Sequence, residues 1–156
     1  MTGSWDGKAI VWEISTHKAI TEFTNHKHAV SVHYNSLTQT VISGSQDKAL
    51  NSWNWKNGTP VKRVESAHND IIREISAVEE VGFITCSNDE TIKLWTSELE
   101  LIHTFTGHTG FIFSVKASKL GSYFSGGDDK ALKIWENEEC VKTIQFPASI
   151  WSIAFD

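Results

Sequence analysis

Four tryptophans, Trp12, Trp53, Trp95 and Trp135, recur at intervals of 41, 42 and 40 residues, and a period of that size constrains the fold more than any single motif does. Each is preceded six positions earlier by an aspartate: Asp6, Asp47, Asp89 and Asp129. Four positions before each aspartate stands a hydroxyl residue, Thr2, Ser43, Thr85 or Ser125. Seventeen positions before the last three hydroxyls come His26, His68 and His108, so that the interval from His to Trp is 27 each time. Three complete copies of one spacing lie beyond coincidence. The chain is a repeat of a small unit that buries its apolar faces against its own neighbours.

Between these anchors the pattern is that of strands. Val41-Ile42-Ser43-Gly44, Thr91-Ile92-Lys93-Leu94-Trp95 and Leu132-Lys133-Ile134-Trp135 alternate apolar with polar residues and end at Gly, Asn, Asp or Ser. No window of useful length carries a helical period. Each unit reads as four short antiparallel strands, named a to d from the inside outwards. They are expected near 29–34, 39–44, 48–54 and 60–65 in the second unit, and near 71–77, 81–86, 90–95 and 99–105 in the third. In the fourth they fall near 111–117, 121–126, 130–136 and 140–146. Gln46-Asp47-Lys48, Asn88-Asp89-Glu90 and Asp128-Asp129-Lys130 are the tight polar turns from b to c.

Composition narrows the classes. At 156 residues the chain has one domain's length and enough mass for a sizeable core. Nineteen acidic residues against 14 Lys and Arg give a net charge of -5, the wrong sign for a binder of nucleic-acid phosphates. Cys86 and Cys140 have neither CxxC nor framework spacing, which points away from a zinc site or a disulfide scaffold and towards a reducing, intracellular setting, cytoplasmic or also nuclear. No stretch approaches eighteen consecutive apolar residues and no signal segment leads the chain, so no membrane span is expected.

The units resemble WD repeats of a β-propeller, with Gly107-His108 as the GH dipeptide. The other copies read Asn25-His26 and Ala67-His68, and the WD dipeptide reads Trp12-Glu13, Trp53-Asn54, Trp95-Thr96 and Trp135-Glu136. The resemblance implies buried hydrogen-bonded tetrads His26–Ser43–Asp47–Trp53, His68–Thr85–Asp89–Trp95 and His108–Ser125–Asp129–Trp135, with the aspartates accepting. The expected fold is all-β: a propeller fragment with partial blades at residues 1–25 and 147–156 and complete blades at 26–66, 67–106 and 107–146. Counted in strands, the chain opens at the end of a strand b and stops after one further strand a, Ile150 to Phe155. It therefore reads as the middle of a longer, commonly seven-bladed ring.

Ser, His and Asp at fixed spacing also suggest nucleophilic catalysis. An enzyme needs one nucleophile in one concave site, whereas this set recurs three times beside an indole; a scaffold role, with every polar group paired, fits better. His17, His26, His28 and His33 crowd one stretch without the tighter spacing of zinc ligands. Gly126-Gly127-Asp128-Asp129 and Ser43-Gly44-Ser45-Gln46-Asp47 return to strands, where a phosphate site needs a helix N-terminus. No cofactor and no metal are expected.

A narrower likeness lies in Gly3-Ser4-Trp5-Asp6 with Ala9-Ile10-Val11-Trp12, in Ala67-His68-Asn69-Asp70, in Ser87-Asn88-Asp89 and above all in Phe146-Pro147-Ala148-Ser149-Ile150-Trp151-Ser152. These segments resemble the propeller of the phospholipase A-2-activating protein family, the ubiquitin-binding cofactor of the valosin-containing AAA ATPase. The resemblance implies a ubiquitin or ubiquitinated-protein partner in degradation or sorting, and an AAA ATPase reached through domains absent from this chain. A generic WD scaffold for another protein or peptide is the alternative. By position the partner face comprises Ala29, Ser31, Gln46, Ile71, Arg73, Asn88, Phe111, Phe113 and Asp128, with Trp5 and Trp151 on the incomplete blades. Four of these are large aromatics, the residue type that interface hot spots favour. Phe113 and Trp151 could instead plug the channel, and Trp55 could pack between blades.

Overall fold

β-Branched and aromatic residues alternating with polar ones, interrupted by Asn, Asp, Gly and Ser, form the short strands that this pattern dictates. The computed structural model describes residues 1–28 and 30–154, and among them lie fifteen strands and no helix. β1 (Thr2–Gly3), β2 (Ala9–Glu13) and β3 (Lys18–Phe23) form a three-stranded sheet. Three four-stranded sheets follow. The first holds β4 (Val30–Asn35), β5 (Thr40–Ser45), β6 (Leu50–Asn54) and β7 (Pro60–Val64), the second β8 (Ile72–Val78), β9 (Gly82–Ser87), β10 (Ile92–Thr96) and β11 (Leu101–Phe105), and the third β12 (Ile112–Ala117), β13 (Tyr123–Gly127), β14 (Ala131–Glu136) and β15 (Glu139–Gln145). Within each sheet the strands pair antiparallel in chain order, so each unit is a meander.

Every tryptophan of the repeat sits at the same irregularity. The pairing of the third strand with the outermost one shifts register just before Trp12, Trp53, Trp95 and Trp135. The extra residue on the outer strand is in turn Ile20, Val61, Ile102 or Val141, all exposed. Such bulges sharpen the twist of the sheet. They hold the indole against the preceding unit: Trp53 packs on Phe23 at 5.3 Å between ring centroids and Trp135 on Phe105 at 5.4 Å, while Val64 packs against the cluster containing Trp95. Trp12 follows no described sheet and is 40% exposed, against 3% or less for the other three.

The core lies between sheets. Ile72, Ile112 and Ile150 each pack on the second strand of the preceding unit, at Gly44, Cys86 and Gly126 respectively. Trp55 packs beside Phe23 and Trp53, between the first two units. The strand expected over Ile150 to Phe155 is a correction, since residues 150–154 carry no assigned strand and Phe155 lies outside the described residues. A strand is defined by a hydrogen-bonded neighbour, and this segment is held instead by the Ile150 amide donating to the Gly127 carbonyl at 2.9 Å and the Ile153 amide donating to Ser114 Oγ at 3.0 Å.

Candidate functional site

The recurring His, Ser/Thr, Asp and Trp come together three times. His68 Nδ1 lies 2.9 Å from Asp89 Oδ2 and its Nε2 lies 2.7 Å from Thr85 Oγ1, which accepts the Trp95 indole N–H at 2.9 Å. His108, Asp129, Ser125 and Trp135 repeat this at 2.7, 2.7 and 2.8 Å, and His26, Asp47, Ser43 and Trp53 at 3.0, 2.8 and 2.7 Å. With Nδ1–H donated to the carboxylate, Nε2 accepts the hydroxyl proton and the hydroxyl oxygen accepts the indole; every polar group is paired. In the first unit only the Trp12 indole bond to Thr2 Oγ1, at 2.9 Å, is present.

The connectivity Asp–His–Ser is that of a hydrolytic triad, but the setting is not. Ser43, Thr85 and Ser125 are fully buried beneath their indoles, so no substrate carbonyl can approach them, and a nucleophile needs that access. Burial pushes His68 and His108 below the ordinary imidazole range, against the opposing pull of Asp89 and Asp129. Burial also raises the two carboxyls, yet hydrogen bonds from the histidines, joined at Asp89 by Thr91, outweigh it and hold both below the usual carboxylate range, Asp89 well below. The resulting state is neutral imidazole on ionised carboxylate, fixed in place. His17 stands in a turn, His28 is exposed and His33 is half-buried in β4. Among the described residues no cluster of three or more His, Cys, Asp or Glu could hold a metal ion.

The channel side of the units is built differently. In β8 the pairing with β9 jumps from Ile72 to Glu74, and in β12 the pairing with β13 jumps from Ile112 to Ser114. Arg73 and Phe113 are thus the extra residues of two bulges at equivalent places, a device that re-aims a side chain. The Arg73 guanidinium lies 5.7 Å from the Phe113 ring centroid. Trp151 stacks on Phe113 at 4.4 Å, with the planes 3° from parallel. Arg73 Nε also donates to Asn88 Oδ1 at 2.7 Å, and the backbone N–H of buried Asn88 donates to the Ile71 carbonyl at 3.0 Å. Guanidinium, phenyl and indole form one column drawn from two neighbouring blades and the segment after β15.

Beside this column opens a depression of about 380 Å³, lined by Trp5, Ser31, Ile71, Arg73, Glu74 and Phe113 among others. Of the residues expected on the partner face, Trp5, Ser31, Ile71, Arg73 and Phe113 therefore line one hollow, with Asn88 and Trp151 attached through the column. Trp5 and Trp151 are 79% and 72% exposed. Phe111, also exposed, gives its carbonyl to the Asp128 amide at 2.8 Å, and Asp128 Oδ1 accepts the Ser149 hydroxyl at 2.9 Å. Gln46 is half-buried in the turn after β5, and Ala29 lies outside the described residues.

Sequence reasoning missed Glu74. Its Oε2 accepts from the Ser114 hydroxyl and the Val115 N–H, both at 2.8 Å, and its Oε1 pairs with Lys116 Nζ at 2.5 Å, which ties two innermost strands together. The signal was present: Glu74 is a carboxylate in an innermost strand where the matching places hold Val32 and Ser114.

The model of the WD domain, G-beta repeat, matches residues 17–54 and 99–136. The chain is built of WD40 repeats. The crystal structure of the WD40 β-propeller domain of Doa1 superposes with a TM-score of 0.87 at 30% identity, over 97% of this chain and 52% of that one. Ubiquitin homeostasis protein lub1 of Schizosaccharomyces pombe is 36% identical over 100 residues, 63% of this chain and 14% of lub1. The ribosome biogenesis protein WDR12 homolog of Drosophila pseudoobscura pseudoobscura is 25% identical over 147 residues, 90% of this chain and 35% of that relative. The chain thus spans about half of the Doa1 domain and smaller parts of the other two. Its architecture is that of a WD40 propeller scaffold, and the likeness to the phospholipase A-2-activating protein family is carried by sequence and fold together.

Proposed function

We propose that this chain is a non-enzymatic interaction platform that binds ubiquitin, or a ubiquitinated protein, on the channel side, in a cytoplasmic or nuclear setting. The observation that carries the reading is the set of large aromatics on the channel side, with Trp5 and Phe113 lining one hollow, Trp151 stacked on Phe113, and Trp5, Trp151 and Phe111 exposed. A folded domain leaves such large aromatics outside when they serve as contact anchors. Ubiquitin presents an apolar patch ringed by basic residues, and a shallow aromatic rim with Asp128 beside it matches that chemistry. The names of relatives agree, since lub1 is a ubiquitin homeostasis protein. The test is a titration of labelled ubiquitin into the protein, followed by amide shifts. Saturable binding in the range of tens to hundreds of micromolar is expected, because a small transient interface leaves little surplus after its ordering costs. No saturable binding would leave a WD scaffold for another protein, a reading that the 147-residue match to a ribosome biogenesis protein favours.

A further inference from the structure

The chain has two arginines, and they are treated in opposite ways. Arg63 is neutralised: its Nε and one terminal nitrogen bond Glu65, and it reaches Asp47 at 3.4 Å. Among the described residues Arg73 forms no ion pair, although the Glu74 carboxylate lines the same hollow. Glu74, next in sequence, is committed to Ser114, Val115 and Lys116. The two terminal nitrogens of Arg73 donate to no described residue, while its Nε is fixed by Asn88 and its guanidinium carbon lies over the Phe113 ring. A guanidinium whose orientation is already set by a bulge, an amide and an aromatic ring loses little freedom when it binds, and its fork matches two oxygens of one carboxylate. The hollow before it has aromatic and aliphatic walls in Trp5 and Ile71 and a hydroxyl in Ser31.

We propose that Arg73 is the recognition residue of a carboxylate site at the channel mouth, which takes the side chain of an Asp or Glu flanked by apolar residues on a protein partner. The class follows from the charge count. Among the described residues that line the hollow Arg73 is the one cation, which suits a monoanion, whereas a phosphate dianion would find no second cation there. The site stands on this chemistry whichever protein supplies the acid.

Two arginines give two side-chain Nε–H resonances, and Arg73→Lys assigns them by removing one. The probes are a blocked peptide, acetyl-Gly-Leu-Glu-Leu-Gly-amide, and the same peptide with Gln in place of Glu. The Arg73 resonance is expected to move saturably with the Glu peptide and the Arg63 resonance to stay. The Gln peptide should bind about tenfold more weakly, the loss expected when a charge-assisted pair becomes a neutral one. Arg73→Gln should remove the preference for Glu at an unchanged melting temperature. Equal affinity for the two peptides, an Arg63 shift in step with Arg73, or no Arg73 shift overturns the proposal. Tighter binding of a phosphoserine peptide, or of a peptide whose only carboxylate is its C-terminus, overturns the assignment to an acidic side chain. Ubiquitin titrated separately keeps the readings apart: binding of ubiquitin with Arg73 indifferent to the Glu peptide ends this proposal and leaves the proposed function standing.

Discussion

Phe113 and Trp151 lie face to face, 4.4 Å between ring centroids and 3° from parallel, with the Arg73 guanidinium 5.7 Å from the Phe113 centroid. A stack of this kind adds about 0.5–1.5 kcal/mol beyond the area it buries, and it leaves the outer face of Trp151 to solvent. An aromatic surface preordered in this way is what a partner's apolar patch needs. Under the proposed function, Trp151→Ala and Phe111→Ala should each weaken ubiquitin binding about tenfold or more, as central aromatic anchors do. Glu138→Ala, on the outer strand β15 side and paired with His103, should leave it unchanged. Binding that ignores Phe111 and Trp151 alike would move the interface elsewhere.

The tetrads predict a different phenotype, loss of fold without loss of any chemistry. His108→Ala leaves Ser125 Oγ and Asp129 Oδ2 without their 2.7 Å partner, and Asp129→Ala strands the His108 Nδ1–H and the Thr109 and Ala131 amides. Either substitution should destabilise the protein by roughly 1–3 kcal/mol, the cost of leaving buried donors or acceptors unpaired. Denaturant unfolding measures this directly. A variant with unchanged stability but an abolished hydrolytic activity would restore the catalytic reading.

The tetrads were legible because their spacing is constant and each residue type has one role in them. In the three complete units the strand ends fell within two residues of those expected, for the same reason that turns are marked by Asp, Asn and Gly. The bulges were not legible: Ile72-Arg73-Glu74 and Ile112-Phe113-Ser114 look no different along the chain from Val30-Ser31-Val32, which pairs without a jump. A bulge is a property of two strands, and only the pairing reveals that Arg73 and Phe113 are turned onto each other. Trp12 teaches the same lesson from the other side. It matches the other repeat tryptophans by spacing, yet its burial depends on a neighbouring sheet and not on its own sequence.

Acid should unfold the protein in two stages. His68 and His108 titrate below the ordinary value because burial penalises the imidazolium, and His33 is lowered by burial and by Lys116. Between their folded values and about 6.5 the unfolded chain binds more protons, so this stabilisation is complete above about pH 6.5 and is lost as pH falls towards the folded values. Asp89 and Asp129, held low against the cost of burial by their histidines, contribute stability above about pH 4 that disappears as pH falls through their lower folded values. Both terms have the same sign. The Tm should decline first between pH 7 and 5 and again below pH 4; a flat Tm from pH 7.5 to 5 contradicts the first stage.

The two thiols should differ sharply. Cys86 is fully buried against Ile112, and burial, with the Glu74 carboxylate adding to it, pushes its thiol far above the ordinary range. Cys140 is exposed on β15. Since the thiolate is the reacting species and must be reached, an alkylating reagent at neutral pH should place one adduct on the native protein, at Cys140, and a second only after unfolding. Mass spectrometry counts the adducts, and two at similar rates would contradict the packing around Cys86.

Cys86 marks a seam whose third member controls the aromatic rim. Gly44 and Gly126 occupy its register in their own blades, and each admits an isoleucine from the next unit. A Cβ on Gly126 would stand 2.6 Å from Ile150 Cγ2 and 2.8 Å from Ile150 Cβ, closer than packed carbons come. Ile150 is the residue before Trp151, so Gly126→Ala must displace the segment that carries the outer layer of the stack. The seam costs little elsewhere, because Ser125 can keep its bonds to His108 and Trp135. Gly126→Ala is therefore expected to keep the sheet spectrum, raise proteolytic cleavage within residues 147–154, red-shift indole emission and weaken ubiquitin binding by a factor approaching that of Trp151→Ala. Unchanged cleavage and emission would mean that Ile150 does not seat Trp151, and the rim would then owe its geometry to Phe113 and the bulge beneath it alone.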